Sequence, residues 1–251
     1  MAQRRAKRVS DLVSCSLNEG VATITLDDPD RLNCFSEQLV EDLHVALDQS
    51  EADSAKTIVF KSNGKGFSGG FDLSNLQNET DGDLLKRLVR VEQLLQRVRH
   101  CRSVTAAFVH GACYGAAADL VLACRIRIAS SDARFLMPGM RFGITLGSRR
   151  LRDTIGESAA YQLLDRRKPF GSEEAISTGF ITELAEADNR DEVLASRLQA
   201  SNLYSSEAYA IRMRALTPDT RDSDMAALVN SVCEGSIKSR MLAYVKSIKK
   251  K

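Results

Sequence analysis

Twice in this chain a short strand-like run gives way to a glycine-rich segment and then to a helical pattern. That repetition points to a fold in which strands and helices alternate in layers. The first case is Gly64-Lys65-Gly66-Phe67-Ser68-Gly69-Gly70-Phe71-Asp72-Leu73, after residues 57–61. The second is His110-Gly111-Ala112-Cys113-Tyr114-Gly115-Ala116-Ala117-Ala118, after residues 104–109. Glycine allows close backbone approach or a positive φ, and the first N–H groups of a helix have no intrahelical partner. Both loops can therefore present free amides, donors of the kind that hold developing negative charge in a dry site, each worth about 3–4 kcal/mol. Taken singly, each loop reads equally well as a tight turn, and pattern alone does not bring the two together. Neither has a Gly-Lys-Ser/Thr ending or a GxGxxG run, which argues against nucleotide hydrolysis and dinucleotide binding.

The rest of the chain extends the alternation. Residues 13–17 and 21–26 alternate apolar and polar around Asn18-Glu19-Gly20 and predict a hairpin. Ser36 predicts a helix cap ahead of Leu39, Val40, Leu43, Ala46 and Leu47. A long helix is expected near 83–101, with one apolar stripe and a second, basic face carrying Lys86, Arg87, Arg90, Arg97 and Arg99. Residues 125–129 and 133–136 read as strands, and residues 147–251 as mostly helical. The expected domains are an α/β core over 1–190 and a C-terminal helical region over 191–251, docked on the core because no low-complexity linker separates them.

Composition removes several function classes. The chain has 35 Lys plus Arg against 33 Asp plus Glu, a net charge of +2, so it carries no overall polyelectrolyte footprint for nucleic acid. Its basic ends, Met1 to Arg8 and Lys249-Lys250-Lys251, read as solvated tails. RNA binding through the basic face of residues 86–102 ranks last, since that stretch has no aromatic residues for base stacking. The six cysteines form no CxxC pair and no zinc-type spacing, so no metal is expected and a reduced, cytoplasmic protein is. No stretch has the length and hydrophobicity of a membrane span or a signal peptide.

Five ordered segments between about residues 13 and 185 carry a family resemblance. Asp30-Arg31-Leu32-Asn33-Cys34-Phe35-Ser36 is similar to a Lys/Arg-x-Asn-Ala-Leu/Phe-Ser loop. Gly66-Phe67-Ser68-Gly69-Gly70-Phe71-Asp72-Leu73 is similar to F-S/C-A-G-x-D-L. Gly111 to Leu120, leading into Ala123-Cys124-Arg125-Ile126-Arg127-Ile128-Ala129, resembles G-x-x-x-G-G-G-x-E-L and A-C-D-I-R-I-A. Gly147-Ser148-Arg149-Arg150-Leu151 and the stretch Pro169 to Ala175, with Gly179-Phe180-Ile181, resemble G-T-Q-R-L and S-A-E-E-A-x-x-x-G-L-V. Together they resemble the crotonase superfamily of enoyl-CoA hydratases and isomerases.

The resemblance implies an α/β fold, a crotonase-like spiral of ββα units with a C-terminal helical region, assembled as homotrimers or dimers of trimers through residues 191–251. It implies an acyl-CoA substrate, with coenzyme A as part of that substrate and no tightly bound cofactor. The thioester oxygen would be held by the amides of Phe71 and Ala116, and coenzyme A would pass along Arg31, Leu32, Gly69 and Asp72, with Tyr244 and Lys246 of a neighbouring C-terminal helix helping to cover it. Two glutamates of the hydratases fall here on Asp119 and Gly139. The first carboxylate is retracted by one methylene, roughly 1.5 Å, and the second is missing.

The expected activity is therefore that of a hydratase/isomerase-family lyase or isomerase acting through a stabilised enolate, with isomerase or decarboxylase-like chemistry favoured over two-glutamate hydration. The alternative is a CoA-thioester-binding protein with little or no catalysis. Asp119 reads either as the single acid or base or as a local ion-pair partner of Arg125 or Arg127. Leu136, Met137, Met140 and Phe142 would make the acyl region apolar, His110 reads as a backbone-bonded residue, and Tyr114 as half-buried filling or a phenol donor.

Overall fold

The computed structural model describes residues 7–201 and 205–249. The expectations for the basic ends fall largely on residues 1–6, 250 and 251, which lie outside the described residues. The chain opens with β1 (Lys7–Arg8), β2 (Val13–Asn18) and β3 (Val21–Leu26), followed by α1 (Glu37–Ala52), β4 (Thr57–Ser62), α2 (Asp81–Arg99) and β5 (Val104–Val109). The hairpin turns where expected, with Asn18 opposite Val21, and Ser36 caps α1 by accepting a hydrogen bond from the Leu39 amide. The α2 start is closed by a capping box in which Thr80 and Asp83 satisfy each other's backbone amides.

Next come β6 (Ala112–Tyr114), α3 (Ala116–Ala123), β7 (Ile126–Ala129) and β8 (Arg134–Leu136). Then follow α4 (Ser148–Ile155), α5 (Glu157–Leu164), β9 (Phe170–Gly171), α6 (Ser172–Ser177) and β10 (Glu183–Leu184). The described chain ends with α7 (Arg190–Ser201), α8 (Ser206–Leu216), α9 (Arg221–Cys233) and α10 (Ile237–Lys249).

The main sheet runs β1-β2-β3-β4-β5-β7-β10, antiparallel in its first two pairings and parallel from β3 onward. Parallel strands need both faces covered. One face packs on α1 and α3 through Leu39, Leu43, Ile58, Phe60 and Leu120, and the other meets α7 through Phe108, Ile128 and Leu194.

The strand expected at 133–136 is β8, and it belongs to a second, three-stranded sheet, β6-β8-β9. Its partners β6 and β9 were not foreseen: at three and two residues they lack the length that makes a period-2 pattern legible.

The basic face of α2 is packed against α1, not offered to solvent as a free stripe. Lys86 pairs with Glu37, Arg90 with Glu41, and Arg97 with Asp48 and Glu51. Arg87 is buried and pairs with Glu79. Of the five basic residues of that face, Lys86, Arg87, Arg90 and Arg97 are neutralised within the chain.

The C-terminal helices pack on the core: Leu228, Val232, Ile237 and Met241 are buried with Leu76, Leu84, Leu88 and Ile144. No described helix is long and apolar enough to cross a membrane.

Candidate functional site

The two glycine-rich loops lie side by side. Ser68 and Cys113 form a parallel bridge, the Ser68 amide donates to Ala112 O at 2.9 Å, and the Tyr114 amide donates to Ser68 O at 3.0 Å. Gly70 sits at φ +84, and a methyl group placed there would stand 2.2 Å from the Tyr114 carbonyl oxygen and 3.4 Å from the Ala116 nitrogen. Only glycine tolerates both the angle and the approach.

A second bridge joins Phe35 to Phe71. Its hydrogen bonds run from the Phe35 amide to Gly70 O and from the Asp72 amide to Phe35 O, so the N–H of Phe71 is directed to the other side. Arg87 fixes this loop by donating to Asp72 O at 2.9 Å and by lying over the Phe71 ring at 4.2 Å. Ala116 is the first residue of α3, where the amide is an orphan. Its φ is not positive, so the alanine in place of the family's glycine is unstrained. Among the described residues neither the Phe71 nor the Ala116 amide donates to a protein acceptor.

Both residues line a cavity of about 230 Å³ whose remaining wall is mostly apolar. Asp119, one turn into α3, enters the same cavity. Every residue of α3 is buried, and the carboxyl is out of water with Oδ1 lacking any hydrogen-bond partner among the described residues. Burial pushes the Asp119 carboxyl up to about 7, with the nearby Arg150 guanidinium opposing and Glu92 adding to the rise.

The local ion pair with Arg125 or Arg127 is not formed. Arg125 donates to Arg99 O, and Arg127 donates to the carbonyls of Phe180, Gly179 and Cys124. Gly147 makes the room that Asp119 occupies: a methyl group there would stand 1.7 Å from Oδ1.

Gly139, at the position of the second hydratase glutamate, also lines the cavity, as do Leu136, Met137, Met140, Phe142 and Tyr114. His110 donates one hydrogen bond from Nε2 to Gly64 O at 3.0 Å. The residues expected along coenzyme A form a compact group. Arg31 pairs with Asp72 at 2.5 Å, and the Gly69 amide donates to Leu32 O at 2.8 Å. Leu32, left-handed at φ 51, leaves its side chain exposed.

Tyr244 lines the cavity of its own chain, packed 5.0 Å from the Phe142 ring, while Lys246 lies exposed on the same helix. A larger open groove of about 1450 Å³ between α1, α2 and α8 holds none of the expected site residues.

Sequence reading missed three contributors to this region. Glu92 and Arg150 form a fully buried ion pair, and Arg240 ties α10 to the Phe142 and Gly143 carbonyls. Charged residues on helices ordinarily face water; the available signals were the place of Glu92 on the apolar stripe between Leu88 and Leu95 and that of Arg150 in the Gly147 to Leu151 motif, while Arg240 has none.

A parallel sheet, paired amide-bearing loops and a buried acid on an apolar cavity define a class of protein that can polarise a carbonyl and move a proton beside it. The family model described as enoyl-CoA hydratase/isomerase matches residues 16–232. The chain belongs to the enoyl-CoA hydratase/isomerase family, the crotonase superfamily. A Bacillus subtilis (strain 168) protein named "Probable enoyl-CoA hydratase" is 28% identical over 90% of this chain and 86% of its own. A Streptococcus mutans protein named trans-2-decenoyl-[acyl-carrier-protein] isomerase is 28% identical over 77% of this chain and 78% of its own. A solved structure from Bordetella parapertussis, described as an enoyl-CoA hydratase/isomerase, superposes with a TM-score of 0.90 at 34% identity, covering 94% of this chain and 99% of that one.

Proposed function

We propose that this protein is an enoyl-thioester isomerase that interconverts 3-enoyl and 2-enoyl acyl groups carried on coenzyme A. The observation that carries this reading is the unpartnered, buried carboxyl of Asp119 in the same cavity as two undonating amides. The thioester oxygen accepts hydrogen bonds from Phe71 and Ala116, which stabilise the negative charge as it moves onto that oxygen. Asp119, as the carboxylate, takes a proton from C2 of a 3-enoyl group, and the electron pair spreads over the dienolate. The same carboxyl returns the proton to C4, leaving the 2-enoyl product and the carboxylate. A group near pKa 7 suits both halves of that transfer at neutral pH. Hydration would also need a second group to hold and activate water, and Gly139 has no side chain to do so.

Coenzyme A is assigned to Arg31, Leu32, Gly69 and Asp72 on the family resemblance, supported by the compactness of that group. Assembly as a homotrimer or dimer of trimers rests on the family resemblance alone and is read by light scattering.

The test is a turnover screen against 2-enoyl, 3-enoyl and malonyl-type CoA thioesters, with binding followed by calorimetry. Interconversion of 2- and 3-enoyl thioesters supports the assignment. Hydration or decarboxylation replaces it with another reaction, and tight binding without turnover of any class favours a non-catalytic thioester binder.

A further inference from the structure

Behind Asp119 lies a pair of charges that takes no part in the mechanism above. Glu92 of α2 has no solvent exposure, and Arg150 of α4 is 4% exposed. They meet through two hydrogen bonds, Nη1 to Oε1 at 2.9 Å and Nη2 to Oε2 at 2.5 Å. Arg150 Nη2 also donates to Leu146 O at 2.8 Å, the residue before Gly147, against which Asp119 Oδ1 is pressed. The guanidinium thus sets the turn that shapes the Asp119 pocket. Among the described residues its Nε has no hydrogen-bond partner, and neither does Asp119 Oδ1, although both are buried.

A buried arginine beside a buried aspartate would ordinarily fix the aspartate as its anionic partner, lowering an aspartate pKa by about 1–3 units. Here both carboxylate oxygens that satisfy the guanidinium belong to Glu92 instead.

We propose that Glu92 and Arg150 act as a positioning pair: Arg150 holds the Leu146–Gly147 turn under Asp119, and Glu92 neutralises Arg150 so that Asp119 stays able to gain and lose a proton. This rests on Asp119 being the proton-transferring group of the proposed function.

The groups that face Asp119 from the packed elements agree with this arrangement. From α2 comes Glu92, and from α4 Arg150, while Arg149 is turned away to Asp224 at 2.6 Å. From β6 come Tyr114 and the buried Cys113, whose thiol is held neutral by burial. Asp224 of α9 lies 3.7 Å from Arg150 and is its second, weaker counter-charge. Arg99 of α2 adds positive charge near Arg150. The raised Asp119 carboxyl fits a guanidinium already neutralised by another carboxylate.

The test is Glu92→Gln, which keeps the size of the side chain and removes its charge. Two readouts are taken: the pH profile of kcat/KM, and the titration of the Asp119 carboxyl by carbon-13 NMR of aspartate-labelled protein, assigned with Asp119→Asn. The expected result is a fall of the Asp119 midpoint by about one unit or more, seen in both. A loss of thermal stability with the midpoint unmoved overturns the proposal and leaves the pair a structural bridge. Should Glu92→Gln fail to fold, Asp224→Asn carries the same test, with a smaller shift in the same direction expected and no shift overturning it. If Asp119→Asn keeps full turnover, the proposed function loses its acid and base, while the NMR titration still decides the role of the pair.

Discussion

Replacing Gly147 by alanine is the sharpest perturbation available, because it adds one methyl group and touches no charge. That methyl group would lie 1.7 Å from Asp119 Oδ1, where contacts under 3.0 Å are essentially never seen, so carboxyl and turn must separate by about 1.3 Å. With α3 buried along its whole length and the turn tied by Arg150 to Leu146 O, Asp119 yields by swinging its carboxyl into the cavity and so leaves its present position. A displacement of about 1 Å in a proton-transfer geometry can cost about 100-fold in rate. Gly147→Ala is therefore expected to lower kcat about 100-fold on the preferred enoyl thioester. Affinity for coenzyme A itself should change little, because Arg31, Leu32, Gly69 and Asp72, to which the proposed function assigns it, lie on other loops. The overpacking should also cost about 1–3 kcal/mol of stability. The assays are steady-state kinetics, calorimetric titration with coenzyme A, and urea denaturation. A folded variant with the parent kcat would refute the reasoning that Asp119 acts from its present position.

Asp119→Asn is expected to lower kcat by about 100- to 10,000-fold, and in the parent protein kcat/KM should rise with pH through about 7 as the carboxylate forms. Its effect on stability has the opposite sign. With the folded pKa raised from 3.8 to about 7, the folded state binds the proton more tightly, so stability is fullest below about pH 4 and falls as pH rises to 7. Denaturation at pH 5 and pH 8 should show the asparagine variant gaining on the parent at the higher pH by on the order of a few kcal/mol; a gap independent of pH would show that Asp119 is not perturbed. Gly139→Glu restores a carboxylate to the cavity wall, where the nearest atom to the new Cβ is Ile144 O at 3.3 Å. It should bring measurable hydration of a 2-enoyl thioester, and a variant that binds substrate yet adds no water would remove Gly139 as the reason for favouring isomerisation. Arg240→Ala loses donors to the carbonyls of Phe142, Gly143, Ser231 and Val232. Urea denaturation should show a loss of about 1.5–3 kcal/mol.

The sequence was most legible where backbone geometry demands a particular residue. Gly70 must be glycine because its φ and the nearby Tyr114 carbonyl leave no room for a side chain, and such glycines announced both amide loops before any coordinates. Ser36 and the Asn18-Glu19-Gly20 turn were legible for the same local reason. What stayed hidden depends on contacts between distant segments. Glu92 and Arg150 are 58 residues apart, and neither helix by itself shows that the other supplies its partner. Lys86, Arg90 and Arg97 of α2 misled for the matching reason: their acidic partners lie on α1, more than forty residues earlier, and a helical-wheel pattern says nothing about which surface a charged face meets.

The same distinction explains why the motifs speak to carbonyl polarisation and stay silent on the acyl group. The amide loops and Asp119 sit at one end of the cavity, built from consecutive residues whose spacing is visible. The segment between β8 and α4 carries Gly139, Met140 and Phe142 along another wall, and it is held by long-range bonds. Thr145 donates to Ala227 O at 3.0 Å, and Arg240 grips Phe142 O and Gly143 O at 2.9 and 3.0 Å. With that segment in place, α10 supplies Met241, Tyr244 and Ile248 to the lining. Under the proposed function the acyl chain would therefore meet side chains more than a hundred residues downstream of the loops assigned to its carbonyl. Substitutions along α10 can change which acyl group fits while leaving the amides and Asp119 untouched, so acyl preference and chemistry can diverge independently in this protein.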